Sequence, residues 1–142
     1  LDNFRASRDR DFTLQGIKSR HRKKAEKMRP GDRILYYITG LQVFGGTATI
    51  VGTYFEDHEP IWRSKKDHED YPFRVPIRPD VILDEASFVP SESFVGRLEY
   101  LKKWPVEHWR LAFQGNVHVL PPADFEIVEL DLRALAAPLA AR

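Results

Sequence analysis

The sequence predicts an α+β fold, a mixed, barrel-like β-sheet flanked by helices, on three observations. Arg33 to Thr39 and Phe44 to Val51 are rich in β-branched and aromatic residues and stand a few residues apart, so they pair as an antiparallel hairpin. Tyr71 to Leu83 is a third extended run. Helical patterns bracket these strands, a basic one from about Arg20 to Met28 and an apolar-faced one after Pro121-Pro122.

Length and composition set the bounds. A chain of 142 residues suits one domain, long enough to bury roughly two thirds of its unfolded surface. With no cysteine, disulfides, thiol catalysis and cysteine-ligated metals are excluded, and a reducing, cytoplasmic location is expected. No apolar run approaches the ~20 residues that cross a bilayer, so no membrane partner is expected. The chain begins with Leu1 rather than Met, which suggests a processed or trimmed piece lacking an upstream strand. Net charge is +1, yet residues 1–33 carry eleven Lys/Arg against five Asp/Glu. That basic front end reads either as a polyanion-facing surface or as a solvated helix face neutralising acidic loops elsewhere.

In chain order, Leu1 to Phe12 is polar and Arg-rich and reads as a loop with one helical turn at most. Ser19 is placed to cap the basic helix, with His21, Ala25 and Met28 on its inner face and Arg20, Lys23, Lys24 and Lys27 outside. Pro30-Gly31-Asp32 is a turn signal. Gly45-Gly46 opens a gap without side chains in the second strand, suited to a bulge or a close backbone approach. Pro76 and Pro79 demote part of the third run to a sheet edge, or break it at a bulge. Ser93 could cap a short helix over Phe94 to Lys102, and Val117 to Leu120 reads as a short strand. In the last helix Phe125, Val128, Leu132 and Leu135 share one face, while Asp124 and Glu126 suit its N-terminal dipole. Ala134 to Arg142 is expected to fray.

Catalytic chemistry finds little support. Glu56, Asp57, His58, His68, Glu69 and Asp70 could ligate a metal, but no tight ligand spacing appears, and a solvated acidic loop is the better reading. There is no nucleophile elbow and no phosphate-binding glycine loop. No enzyme, catalytic residue, resident metal or cofactor is expected. Trp62, Tyr37, Tyr71 and Phe73 individually read as core aromatics. Beside a basic segment they also match the recipe for holding an exposed base, with ring faces for stacking and cations for phosphate.

The order of short motifs carries a resemblance. Asn3-Phe4, Gly16-Ile17-Lys18, Met28-Arg-Pro-Gly-Asp-Arg-Ile-Leu-Tyr-Tyr37 and Phe44-Gly-Gly-Thr-Ala follow one another. Glu59-Pro-Ile-Trp62, Tyr71-Pro-Phe-Arg-Val75 and Pro121-Pro-Ala-Asp-Phe125 complete the series. Over about Asn3 to Leu130 the chain resembles the EVE domain family, of the PUA-like fold and related to YTH domains. The resemblance implies a PUA-like barrel that accepts a modified base of DNA or RNA. It implies that Asn3 contacts the base edge, that backbone around Gly16, Ile17 and Lys18 lines the pocket, and that Trp62 stacks on the base. Lys18 stands where relatives place a second cage tryptophan, leaving Tyr37 or Tyr71 as a second wall. Arg20, Lys23 and Lys24 would hold phosphate. The expectation is a non-catalytic nucleic-acid partner module whose Trp62 borders an open hollow. A metal-dependent hydrolase using the His58/His68 loop and a plain PUA-like RNA-binding module are the alternatives.

Overall fold

The computed structural model describes residues 1–64, 70–114 and 117–136. His68 and most of the expected frayed tail lie outside them. The elements in order are α1 (Asp2–Asp9), β1 (Leu14–Ile17), a 3₁₀ turn (Ser19–His21), α2 (Arg22–Lys27), β2 (Arg33–Ile38), β3 (Val43–Ile50) and β4 (Phe55–Glu56). There follow β5 (Phe73–Ile82), β6 (Val89–Pro90), α3 (Glu99–Lys102) and α4 (Pro122–Leu135), with further 3₁₀ turns between. The sheet has six strands in the order β1-β5-β3-β2, with β4 pairing β5 and β6 pairing β3. It is an open path among the described residues, so the expected barrel is not closed.

The chain forms two compact units, Leu1–Ile34 with Ala48–Asp80, and Leu35–Thr47 with Val81–Arg142. In the first, Phe4, Phe12, Ile17, Ala25, Ile50, Trp62, Phe73, Val75 and Ile77 are buried. In the second, Phe44, Phe94, Leu98, Trp109, Phe113, Val128 and Leu132 anchor a core that also takes in Leu35 and Tyr37.

Several expectations hold. The hairpin joins β2 to β3 through four residues, Thr39 to Gln42, in a turn with Leu41 N–H on the Ile38 carbonyl. Gly31 takes φ +97°, as its turn requires. Ala25 is buried with His21 and Met28 half-buried, and Arg20, Lys23, Lys24 and Lys27 are exposed.

Others are corrected. Leu1 to Phe12 is largely helix, because Phe4 and Ser7 bury one face of α1 and packing outweighs its polar composition. Gly16-Ile17, where no strand is expected, lies in strand β1, paired antiparallel with β5 through Gly16 opposite Arg74 and Ile17 opposite Phe73. Ser19 makes no side-chain cap; the basic helix instead opens with a 3₁₀ turn. The run with two prolines is an interior strand rather than an edge. Its Pro76 carbonyl accepts Val51 N–H just past the end of β3, so the N–H that proline lacks falls where that ladder stops. The helix expected over Phe94 to Lys102 shrinks to α3, since Gly96 at φ +85° interrupts it. Val117 to Leu120 forms no strand. On α4, Leu135 is exposed, whereas Asp124 is buried and its carboxylate accepts the N–H groups of Glu99 (3.0 Å) and Tyr100 (2.8 Å).

Gly46 does provide a close backbone approach. A β-carbon there would overlap the Val81 carbonyl oxygen, whereas one on Gly40 would meet nothing within 4 Å. Gly46→Ala is therefore expected to destabilise by about 1–3 kcal/mol, and Gly40→Ala by at most about 0.5 kcal/mol. Urea unfolding midpoints of the two variants check this.

Candidate functional site

The site grows from the pairing of β1 with β5. Alternation along β1 turns Gly16 to one face and its neighbours Gln15 and Ile17 to the other. The six-membered part of the Trp62 indole lies against Gly16, where any β-carbon would overlap it. Arg74, directly across the ladder from Gly16, holds its guanidinium 5.2 Å from the Trp62 ring centroid. The indole N–H donates to the Ser7 hydroxyl at 2.8 Å. The Trp62 ring, expected to border an open hollow, is only 6% exposed and so is covered.

Helix α1 completes the arrangement. Asn3 and Ser7, four residues apart, share a helix face. Asn3 donates from Nδ2 to the Arg63 carbonyl at 2.8 Å and accepts the Arg63 N–H on Oδ1 at 2.8 Å. The expected base-reading amide thus already carries a two-bond pair with the backbone beside Trp62. Asn3 also donates to the Tyr71 hydroxyl at 3.3 Å. The Tyr71 ring centroid is 6.2 Å from that of Trp62, and Lys18 Nζ lies 5.7 Å from the Tyr71 ring.

Arg74 ties the neighbouring segment down. It is 2% exposed, donates from Nε to the Tyr71 carbonyl at 3.2 Å and from Nη2 to the Glu59 carbonyl, and pairs with Asp57 at 3.5 Å. Of residues 57–64, Trp62 alone is buried. Among the described residues the polar ties on the Trp62–Arg63 stretch include one bond to Ser7, two to Asn3 and the Arg74 cation. At about 0.5–1.5 kcal/mol net per hydrogen bond the three bonds sum to a few kcal/mol, and burial of the indole adds to them.

Asn3, Gly16, Lys18, Trp62 and Tyr71 therefore lie near one another in the first unit. Ile17 is buried on the opposite face of β1 from Gly16, so only its backbone could border the group. Tyr37 does not serve as a second wall. It packs against the core of the second unit, with ring centroids 5.0 Å from Phe113 and 5.2 Å from Phe44. Ser7 and Arg74 escaped the sequence reading. Ser7 would have emerged had α1 been read as a helix carrying Asn3, and Arg74 is the charged residue inside an otherwise apolar stretch of β5.

The acidic loop has a different organisation. His58 sets Nε2 2.9 Å from Glu56 and Nδ1 2.9 Å from Asp70, an arrangement that suits an imidazolium, which donates from both nitrogens. Among the described residues no group of three or more His, Cys, Asp or Glu could hold a metal ion.

Comparison with known proteins now decides the family. The sequence model of the EVE domain matches residues 2–129. The chain belongs to the EVE domain family. A UPF0310 protein of Pyrococcus abyssi is similar to this EVE domain, 24% identical over 136 residues, covering 90% of this chain and 91% of the relative. The matched span takes in every residue of the Gly16–Trp62 group. No helix among the described residues is long and apolar enough to cross a membrane.

Two outcomes are expected here. Gly16→Ala should unseat the indole, lowering stability by about 1–3 kcal/mol and collapsing the near-ultraviolet circular dichroism of Trp62. The hydrogen bond with Glu56, followed by that with Asp70, raises the His58 pKa above its ordinary value. The clasp is then complete below the ordinary histidine value, about 6.5, and is lost as pH rises through the raised one. An NMR titration of the His58 ring should show this elevation, and Glu56→Gln should reduce it.

Proposed function

We propose that this EVE domain is a non-catalytic module that binds nucleic acid and recognises a modified base. The observation that carries the reading is the convergence of Asn3, Gly16, Lys18, Trp62 and Tyr71, from four separate stretches of sequence, onto one place in the first unit. An amide edge, two aromatic rings and a cation form a set suited to a flat heterocycle with polar edges. The same unit carries the exposed cations Arg20, Lys23, Lys24 and Lys27, which supply the phosphate-binding component. The EVE match agrees with nucleic-acid binding.

Magnitudes define how the site must work. Extruding a base costs a few kcal/mol in a duplex and less in a single strand, while one aromatic stack returns ~1–3 kcal/mol. Phosphate contacts are needed on top of the stack. A buried methyl adds only ~0.8 kcal/mol, so selectivity for a modified base must come from a polar group left unpaired by the plain one.

Fluorescence anisotropy with single-stranded DNA and RNA, plain and carrying N6-methyladenine or 5-methylcytosine, is the test. Tyr71→Ala should weaken binding by about 5- to 100-fold, and Lys23→Ala with Lys24→Ala should reduce the salt slope by about 1.4. Tyr71 is half-buried, which makes it a cleaner probe than Trp62, whose truncation would also cost the fold about 3–5 kcal/mol. Equal affinity for modified and plain strands would favour a plain RNA-binding module, and no binding to any strand would refute the reading.

A further inference from the structure

We propose that the Trp62–Arg63 stretch is an internal occupant of the base site, an autoinhibitory contact that a ligand must displace. This rests on the base-binding reading above. The backbone of Arg63 presents a carbonyl and an N–H to the Asn3 amide, each at 2.8 Å. That is the donor–acceptor pattern with which an Asn side chain pairs bidentately to a base edge. The protein's own backbone, through the N–H and the carbonyl of Arg63, fills the position where a ligand would be read. Trp62, the ring that would stack, is turned inward at the same time, its N–H held by Ser7 and its face on Gly16. Beside this buried ring Glu59, Pro60 and Arg63 are exposed and Ile61 is half-buried, while the anchoring of the segment by Arg74 falls upstream, at Asp57 and Glu59.

Opening then has a defined meaning. The Asn3–Arg63 pair and the Ser7–Trp62 bond break together, which frees the amide edge and exposes the indole. A ligand binding only the open form has its apparent affinity reduced by the open fraction. Loosening the closed form must therefore tighten binding, the reverse of what a merely structural contact does. Ser7 reports on this because its hydroxyl touches Trp62 in the closed form and has no part in holding the base.

The experiment labels the whole chain with 5-fluorotryptophan and identifies the Trp62 resonance by Trp62→Phe. In Ser7→Ala, the solvent-isotope shift of that resonance should rise, with an open population about 2- to 10-fold larger. Affinity for an N6-methyladenine-containing single strand should rise by the same factor. Unchanged or weaker binding, or an indole still shielded in the variant, overturns the proposal. Should Ser7→Ala fail to fold, hydrogen exchange of the wild-type Trp62 indole and Arg63 amide decides. The two should exchange together and faster than the Ile50 amide, and exchange only by global unfolding would refute the inference. If no strand binds at all, the base-binding reading fails, and the fluorine and exchange data still show whether the stretch opens as one unit.

Discussion

The absence of one side chain, at Gly16, is the constraint on which the first unit depends. A bare stretch of β1 gives the Trp62 indole a flat seat on the sheet. Once the ring is there, its N–H must find an acceptor, since a buried indole without one loses about 1–3 kcal/mol. Ser7 supplies it, which fixes the rotation of α1. With α1 fixed, Asn3 falls one turn away on the same face and engages Arg63. Arg74, across the ladder from Gly16, covers the ring and gathers the backbone of Glu59 and Tyr71. A glycine in a strand weakens the ladder locally, and the seated ring offsets that by covering it.

Much of this was legible in the residues. The hairpin, the turn at Gly31, the basic face of α2 and the start of α4 all follow from local chemistry that survives in the fold. Helix α1 did not, because its signal is tertiary: only two of its residues are buried, and no capping side chain marks its start. The interior position of β5 was obscured by Pro76, whose missing N–H matters only if a partner strand reaches that far. Motif order pointed to Asn3, Gly16, Lys18 and Trp62, which lie near one another in the first unit, yet it says nothing of rotamers. It led to an open ring where the structure has a covered one, and it left Tyr37 as a candidate wall although that ring packs on Phe113.

The second unit handles its buried polar groups differently. Thr47 donates its hydroxyl to Glu129 at 2.7 Å, and Ser91 donates to the Gln42 carbonyl at 2.9 Å, so each has a partner inside the unit. Tyr100 donates to the Ala112 carbonyl at 2.8 Å with His118 Nδ1 3.0 Å from the same hydroxyl. That geometry leaves His118 to donate from Nδ1, since the phenol has a single proton to give. These pairs join separate segments of the unit around its aromatic cluster.

Asp124 has a consequence for the order in which the chain assembles. Helix α3 has four residues, too few to nucleate alone. Its first N–H groups are satisfied by a carboxylate some two dozen residues downstream, at the start of α4. α3 can therefore persist only once α4 has formed and come into place. During synthesis the stretch around Glu99 must wait, without stable helical structure, until the final helix has left the ribosome.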